Sequence, residues 1–430
     1  MPIGYACIAL GVPNTAIKKC LIKNADEAHL HALIRSNISA LGNMIAYNIK
    51  NGIRLFRISS DIIPFASSPV NTIPWAQIYG ERLAALGRKA QESGMRLSMH
   101  PGQYTVLNSP NMQTAENAIR ELEYHALFLD CLGVNAASKI ILHVGGAYGD
   151  KQEAMRCFAE RYQGLSDRVK ARLVIENDDK VYNIQDVLEI GLKNRIPVVF
   201  DNLHHLTNPC ADSTSEKDWI IACARTWSHE DGRQKIHYSQ PDHGKKHGAH
   251  SLSIGIDEFL HFYRSLGDTK PDIMLEVKDK NISAVKCMLC TDENKNIGAL
   301  EHEWGRYKYL VLERSQQIYQ QIRRLLKNKA AHPAAEFFRL TEAALGQPVQ
   351  AGNAVNAAMH VWGYFKDDAT VRQKTDILKT LDSCAAGKVS FASLKRKLYA
   401  LSEIYRQDYL LESYYFVQQY DKESGHDDGM

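Results

Sequence analysis

The chain has 430 residues, 45% hydrophobic and 23% charged, which is the balance of a globular protein with room for one large domain and a smaller one. Its net charge of +3 is too small to indicate a nucleic-acid partner unless the basic residues gather on one face. No stretch reaches transmembrane length, and the nine scattered cysteines, an odd number, suit a reducing, cytoplasmic setting.

The opening segment MPIGYACIAL lacks the basic flank and cleavage site of a secretory signal and reads as a first strand. Short apolar runs over 4–11, 54–60, 96–100, 139–143, 172–176, 197–201, 235–239 and 272–277 have the pattern of strands buried on both faces. Helical stretches alternate with them over 27–51, 74–93, 115–132, 151–165, 184–193 and 257–266. Asn51-Gly52 and Gly94 supply stops, and Pro74 opens the second helix. Eight strands alternating with helices predict an α/β fold, a (β/α)8 TIM barrel.

After about position 279 the strands cease. Helical periods cover 303–327, 334–345, 354–365, 370–386 and 391–412, with Cys287-x-x-Cys290 read as helix filler. The expected division is a barrel domain over 1–285, connecting helices over 286–330, an α-helical domain over 331–422 and a disordered tail over 423–430. Arg323, Arg324, Lys395, Arg396 and Lys397 could extend a DNA-binding face or simply form a solvated one.

Six strand segments end abruptly in potential metal ligands: His100, His143, Glu176, Asp201 with His204, His237, and Glu276. Consecutive ligands lie about one strand-plus-helix unit apart, which brings them to one rim of the barrel. Seven imidazoles and carboxylates are too many for one tetrahedral zinc and suit two or three ions of Mn²⁺, Zn²⁺ or Fe²⁺. Paired ions are the usual solution for phosphodiester hydrolysis. Each residue alone has a plainer role: a histidine can satisfy itself locally, and a carboxylate at a strand end can cap the next helix.

Asn177 and Asp178 could orient ligands or cap the following helix. Lys235 lies two residues before His237 and shares its strand face, where it could contact phosphate, bridge ions as a carbamate, or simply pack. In the loop after strand seven, His243, His247 and His250 compete for one ligand role. The Pro-Gly turn after His100 places Gln103 and Tyr104 at a loop tip, suited to wedging into a base stack or to packing beneath the loop.

In order, SSDIIPF, MHPGQYTVLNS, ILHVGG, ENDD, FDNLHH, KIHYS, GAHS and LEVK resemble the UV damage endonucleases, relatives of endonuclease IV among the xylose-isomerase-like barrels. The resemblance covers residues 1–280 and implies cleavage immediately 5′ to a UV photoproduct, and often at abasic sites, with divalent metal, commonly manganese. It implies the ligand set His100, His143, Glu176, Asp201, His204, His237, His250 and Glu276, selecting His250 within its loop, with Glu176, Asp201, His237, Glu276 and Lys235 in catalysis. Gln103 and Tyr104 would probe the lesion, Tyr5 would lie near the flipped nucleotides, and Lys245 and Lys246 would contact phosphates. Zn²⁺ or Mg²⁺ are the alternatives to Mn²⁺, and the implied partner is damaged double-stranded DNA, met by a monomer at the nucleoid. Some members carry asparagine where this chain has Ala9. The C-terminal helices resemble a helical domain of uncharacterised function. The rival readings are an abasic-site endonuclease, a sugar isomerase and a non-catalytic binder of damaged DNA.

Overall fold

The structure, a computed structural model, describes residues 1–417. The tail expected over 423–430, and the end of the helical domain expected at 422, lie outside the described residues. The chain divides into two compact units: residues 1–9, 14–254 and 262–285 form one, and 10–13, 255–261 and the chain from 286 onward form the other.

The first unit is the expected barrel. Its strands are β1 Ile3–Cys7, β2 Leu55–Ile58, β3 Arg96–Met99, β4 Lys139–His143, β5 Leu173–Glu176, β6 Val198–Asp201, β7 Lys235–Tyr238 and β8 Asp272–Leu275. All pair in parallel, each with its neighbours in sequence, and β1 closes on β8. Side chains alternate across each strand, so Ile141, Val174 and Val199 pack together inside the barrel, one layer below His143, Glu176 and Asp201. Ala6, Leu55 and Met274 fill the opposite side of the interior.

The N-terminal ends of the strands are closed by a charged girdle. Arg96 donates to Asp272 at 2.9 Å, Lys139 to Asp231 at 2.5 Å, and Arg172 to Asp130 at 2.8 Å. Trp227 lies against the Ile141 layer and donates Nε1–H to the carbonyl of Val198 at 2.8 Å. With that end sealed, the C-terminal rim is where polar side chains can meet a ligand.

The barrel helices follow the expected spans within a few residues, for example Glu27–Lys50, Trp75–Glu92 and Ile184–Asn194. Asn202–Thr207 and Glu216–Ala224 are additional helices, too short for a clear 3.6-residue period.

The second unit is helical among its described residues. Two expected long helices are each broken. The one expected over 303–327 is Ile297–Leu312 followed by Gln316–Leu325, because Ser315 caps the second helix by accepting from the Ile318 amide. The one expected over 391–412 is Phe391–Ile404 followed by Asp408–Leu411, with Arg406 in the left-handed region at φ 50°. The core gathers Val361, Trp362, Phe365, Leu394, Leu398 and Tyr415. The expected basic face around 395–397 is largely engaged internally. Lys395 is buried on Glu313 at 3.0 Å, and Lys397 holds Asp376 at 2.7 Å.

Candidate metal centre

Glu176, the last residue of β5, is almost fully buried and stands at the centre of three groups able to hold a cation. The first is His100, His143 and Glu176, the second Glu176, Asp201 and His204, and the third Glu176, His237 and Glu276. In each, one donor atom per residue lies within 4.8 Å of the others. Strand register explains the convergence: His143 pairs with Glu176 across β4 and β5, and Asp201 with His237 across β6 and β7.

The Glu176 Oε2 atom is 3.2 Å from His100 Nε2 and 3.3 Å from His143 Nε2. Its Oε1 is 2.7 Å from His237 Nδ1, which is also 3.0 Å from Glu276 Oε1. Burial works against the Glu176 charge, but His237 and hydrogen bonds from His100, His143 and His237 hold its carboxyl well below the usual carboxylate range. Burial also opposes the charge on His237 and His204. The carboxylates Glu176 and Glu276 nevertheless raise His237 to about 9, and Asp201, Glu176 and Glu276 raise His204 to about 9. Without cations, therefore, protons on these rings offset the buried negative charge.

The donor set fits divalent cations. Its atoms are imidazole nitrogens and carboxylate oxygens, the borderline-to-hard donors that suit Mn²⁺, Fe²⁺ or Zn²⁺. Two of the buried atoms, Asp201 Oδ2 and His237 Nε2, have no hydrogen-bond partner among the described residues. Asp201 caps the next helix, its Oδ1 accepting from the His204 amide at 2.7 Å, while its Oδ2 has no hydrogen-bond partner among the described residues.

The rings are aimed from behind by carbonyls. His100 Nδ1–H donates to Pro101 O at 3.0 Å, and His204 Nδ1–H donates to Asn177 O at 2.8 Å. His250 is outside the three groups. Its Nδ1–H donates to Glu276 O at 2.8 Å, so its Nε2 is the atom left to offer. This pattern of a ring fixed by a carbonyl is the usual support of a ligating histidine. Asn177 braces the same region by exchanging two hydrogen bonds with the Asp201 backbone, at 3.0 and 2.9 Å. Asp178 turns away, accepting from the amides of Lys180, Val181 and Tyr182.

Arg57, on β2, is a member the sequence reading missed. It is buried and donates to Glu276 Oε1. Burial works against the Glu276 charge, but Arg57 and His237 hold its carboxyl well below the usual range. The available signal was an arginine inside the apolar run RLFRIS, where a barrel strand has no solvent face.

Lys235 sits below His237 on β7, fully buried, with no hydrogen-bond partner for Nζ among the described residues. Burial, reinforced by Arg96, pushes its amine well below the usual lysine range.

Gln103 and Tyr104 occupy an exposed turn after β3, with Tyr104 65% exposed. The turn closes through Thr105 N–H donating to Gly102 O at 2.9 Å. Asn108 ties the loop to the end of β4, exchanging bonds with Gly146 at 2.8 and 3.2 Å. Gly145 is required beside it: at φ 118°, a Cβ would come within 2.2 Å of Asn108 Oδ1. Lys245 and Lys246 lie exposed in the loop after β7.

Tyr5 stands in the middle of β1. It is fully buried, and its hydroxyl donates to Asn48 Oδ1 at 2.8 Å on helix Glu27–Lys50. Gly4 and Ala6 are the β1 residues that face the interior, so Tyr5 faces the helix layer and does not border the rim. Ala9 is buried, and its carbonyl accepts from Thr15.

Among the described residues no helix is long and apolar enough to cross a membrane. Residues 308–420 match a protein family of unknown function, DUF1722. A UV DNA damage endonuclease of Clostridium perfringens (strain 13 / Type A) is 40% identical over 81% of this chain and 84% of its own length. One from Bacillus cereus (strain B4264) is 35% identical over 63% of this chain and 84% of its own. The crystal structure of SacUVDE shares 38% identity, covers 67% of this chain and 96% of that one, and superposes with a TM-score of 0.63. Residues 4–304 match the family described as UV-endonuclease UvdE, and the chain belongs to that family.

Proposed function

We propose that this protein nicks the DNA backbone immediately 5′ to UV photoproducts and abasic sites, leaving a 3′-hydroxyl and a 5′-phosphate. One observation carries the reading beyond family membership: a single buried carboxylate, Glu176, is common to three donor groups at the rim of the barrel. A carboxylate so placed can bridge neighbouring cations. The residues assigned to hold two or three ions, Mn²⁺ foremost, are His100, His143, Glu176, Asp201, His204, His237, His250 and Glu276. Bound there, such ions supply positive charge at the scissile phosphate and lower the pKa of water.

The chain's own residues do the rest. Water oxygen joins phosphorus, the bond from phosphorus to O3′ breaks, and the 3′ oxygen leaves with a proton as the hydroxyl. Arg57 holds Glu276 in place, and Asn177 holds Asp201 and His204. Lys235 enters the reading because its buried amine shares the strand face of His237 and has no hydrogen-bond partner among the described residues. Gln103 and Tyr104 fill the gap left when damaged nucleotides swing out, and weakly stacked bases cost least to extrude. Lys245 and Lys246 contact backbone phosphates. The catalytic domain is assigned to residues 1–285, with connecting helices over 286–330 and a helical domain from 331. The protein acts as a monomer on damaged duplex DNA in the cytoplasm, at the nucleoid.

The test is incision of duplexes carrying a photoproduct, an abasic site or no lesion, with and without Mn²⁺. Metal-dependent nicking 5′ to the lesion is expected, and its loss in Glu176→Ala and Asp201→Ala. Absence of a metal-dependent nick on every duplex would refute the reading.

A further inference from the structure

The helical unit carries a cluster of rings and cations outside the barrel centre. Trp304 and Lys308 stand one turn apart on helix Ile297–Leu312. The Trp304 ring lies 5.3 Å from Tyr319, on the next helix, and Arg323 lies over Tyr319 at 5.9 Å. The Lys308 ammonium is 4.8 Å from the centre of Tyr409, which stacks with Tyr364 at 5.9 Å and 18° between planes. Tyr364 and Tyr409 are 37% and 41% exposed, unlike the rings of the core beneath them.

The helix that carries Tyr319 is basic in its last turn. Helix Gln316–Leu325 and the four residues after it contain Arg323, Arg324, Lys327 and Lys329 and no carboxylate. Lys308, Arg323, Arg324 and Lys327 have no ion-pair partner among the described residues. The nearby acids Glu301, Glu303 and Glu412 are held by Lys329, Arg306 and His302. From 286 to 417 the chain has 19 Lys and Arg against 14 Asp and Glu.

We infer that this surface binds single-stranded DNA, with bases stacking on the exposed rings of Tyr364 and Tyr409 and phosphates meeting Lys308, Arg323 and Arg324. Exposed aromatic faces with adjoining cations are the usual platform for unpaired bases. Duplex DNA does not suit them, because its bases already stack on one another. The inference rests on the repair-endonuclease reading for the choice of DNA as the polymer. A single-strand site would hold the chain on locally melted DNA near a lesion.

The test uses the full chain in EDTA with fluorescent oligothymidylate of 20 nucleotides, read by anisotropy. Tyr364→Leu with Tyr409→Leu should weaken binding about tenfold, whereas Tyr409→Phe, which removes only the hydroxyl bonded to Gly305 O, should not. The exposed pair Arg323→Ser and Arg324→Ser guards against a misfolded tyrosine variant. It should weaken binding and flatten the dependence of log affinity on log salt by about 0.7 for each phosphate no longer neutralised. Unchanged oligothymidylate binding in both variants would overturn the inference. So would equally tight wild-type binding of an oligonucleotide lacking bases, which would mark mere polyanion attraction. If instead the wild type binds as expected but nicks no duplex, the endonuclease reading fails and the platform stands.

Discussion

Asn177 and Asp201 exchange two hydrogen bonds across the ends of β5 and β6, at 3.0 and 2.9 Å. The same Asn177 offers its carbonyl to His204 at 2.8 Å. One side chain and one carbonyl thus fix two of the residues assigned to the metal centre. Asn177→Ala is expected to weaken Mn²⁺ binding about 10- to 100-fold, the usual cost of losing a residue that orients ligands. Mn²⁺ titration by calorimetry checks this. An unchanged affinity would return Asn177 to a purely local role.

Tyr104 is exposed at its turn and packs its ring over Gly102. Tyr104→Ala is expected to lower discrimination between damaged and intact duplex more than it lowers nicking of a substrate whose lesion is already unpaired. Paired rate measurements on the two substrates decide it. Equal losses on both would make the ring structural.

Lys395 and Glu313 form a buried pair in the helical unit, with Lys395 also 4.6 Å over the Tyr415 ring. Removing one partner strands the other charge away from water. Lys395→Ala should therefore destabilise that unit by about 3–5 kcal/mol, measured by urea unfolding. A change under about 1 kcal/mol would mean that water reaches Glu313.

His125 is buried on helix Met112–Cys131 against the Tyr124 ring, with Nδ1–H donating to Glu121 O at 2.7 Å and Nε2 without a partner among the described residues. Burial pushes its pKa below the ordinary 6.5, against the pull of Glu121. As pH falls below 6.5 the unfolded chain takes up the proton first, so this site stabilises the fold above that pH and loses its contribution below it. His125→Phe should flatten the fall in stability between pH 6.5 and 5, followed by thermal melting in metal-free buffer. An identical fall in variant and wild type would show that other groups carry it.

Much of this was legible because barrel strands have a strict grammar. A short apolar run that stops at His143, Glu176 or Asp201 fixes both the strand and the rim position of its last side chain. The errors have physical causes as well. Arg57 was passed over because arginine in a strand ordinarily signals solvent. The breaks at Ser315 and Arg406 lack glycine or proline, and Ser315 becomes a cap only through its local geometry. Tyr364, Tyr409 and Lys308 are far apart in sequence, so no spacing marks their meeting.

The most direct test of the shared-carboxylate centre is equilibrium dialysis against Mn²⁺, counting ions bound per chain in the wild type and in Glu176→Gln. Two or three ions on the wild type and a loss of more than one on this single substitution are expected, since all three donor groups use Glu176. A variant that keeps the full complement would contradict the account.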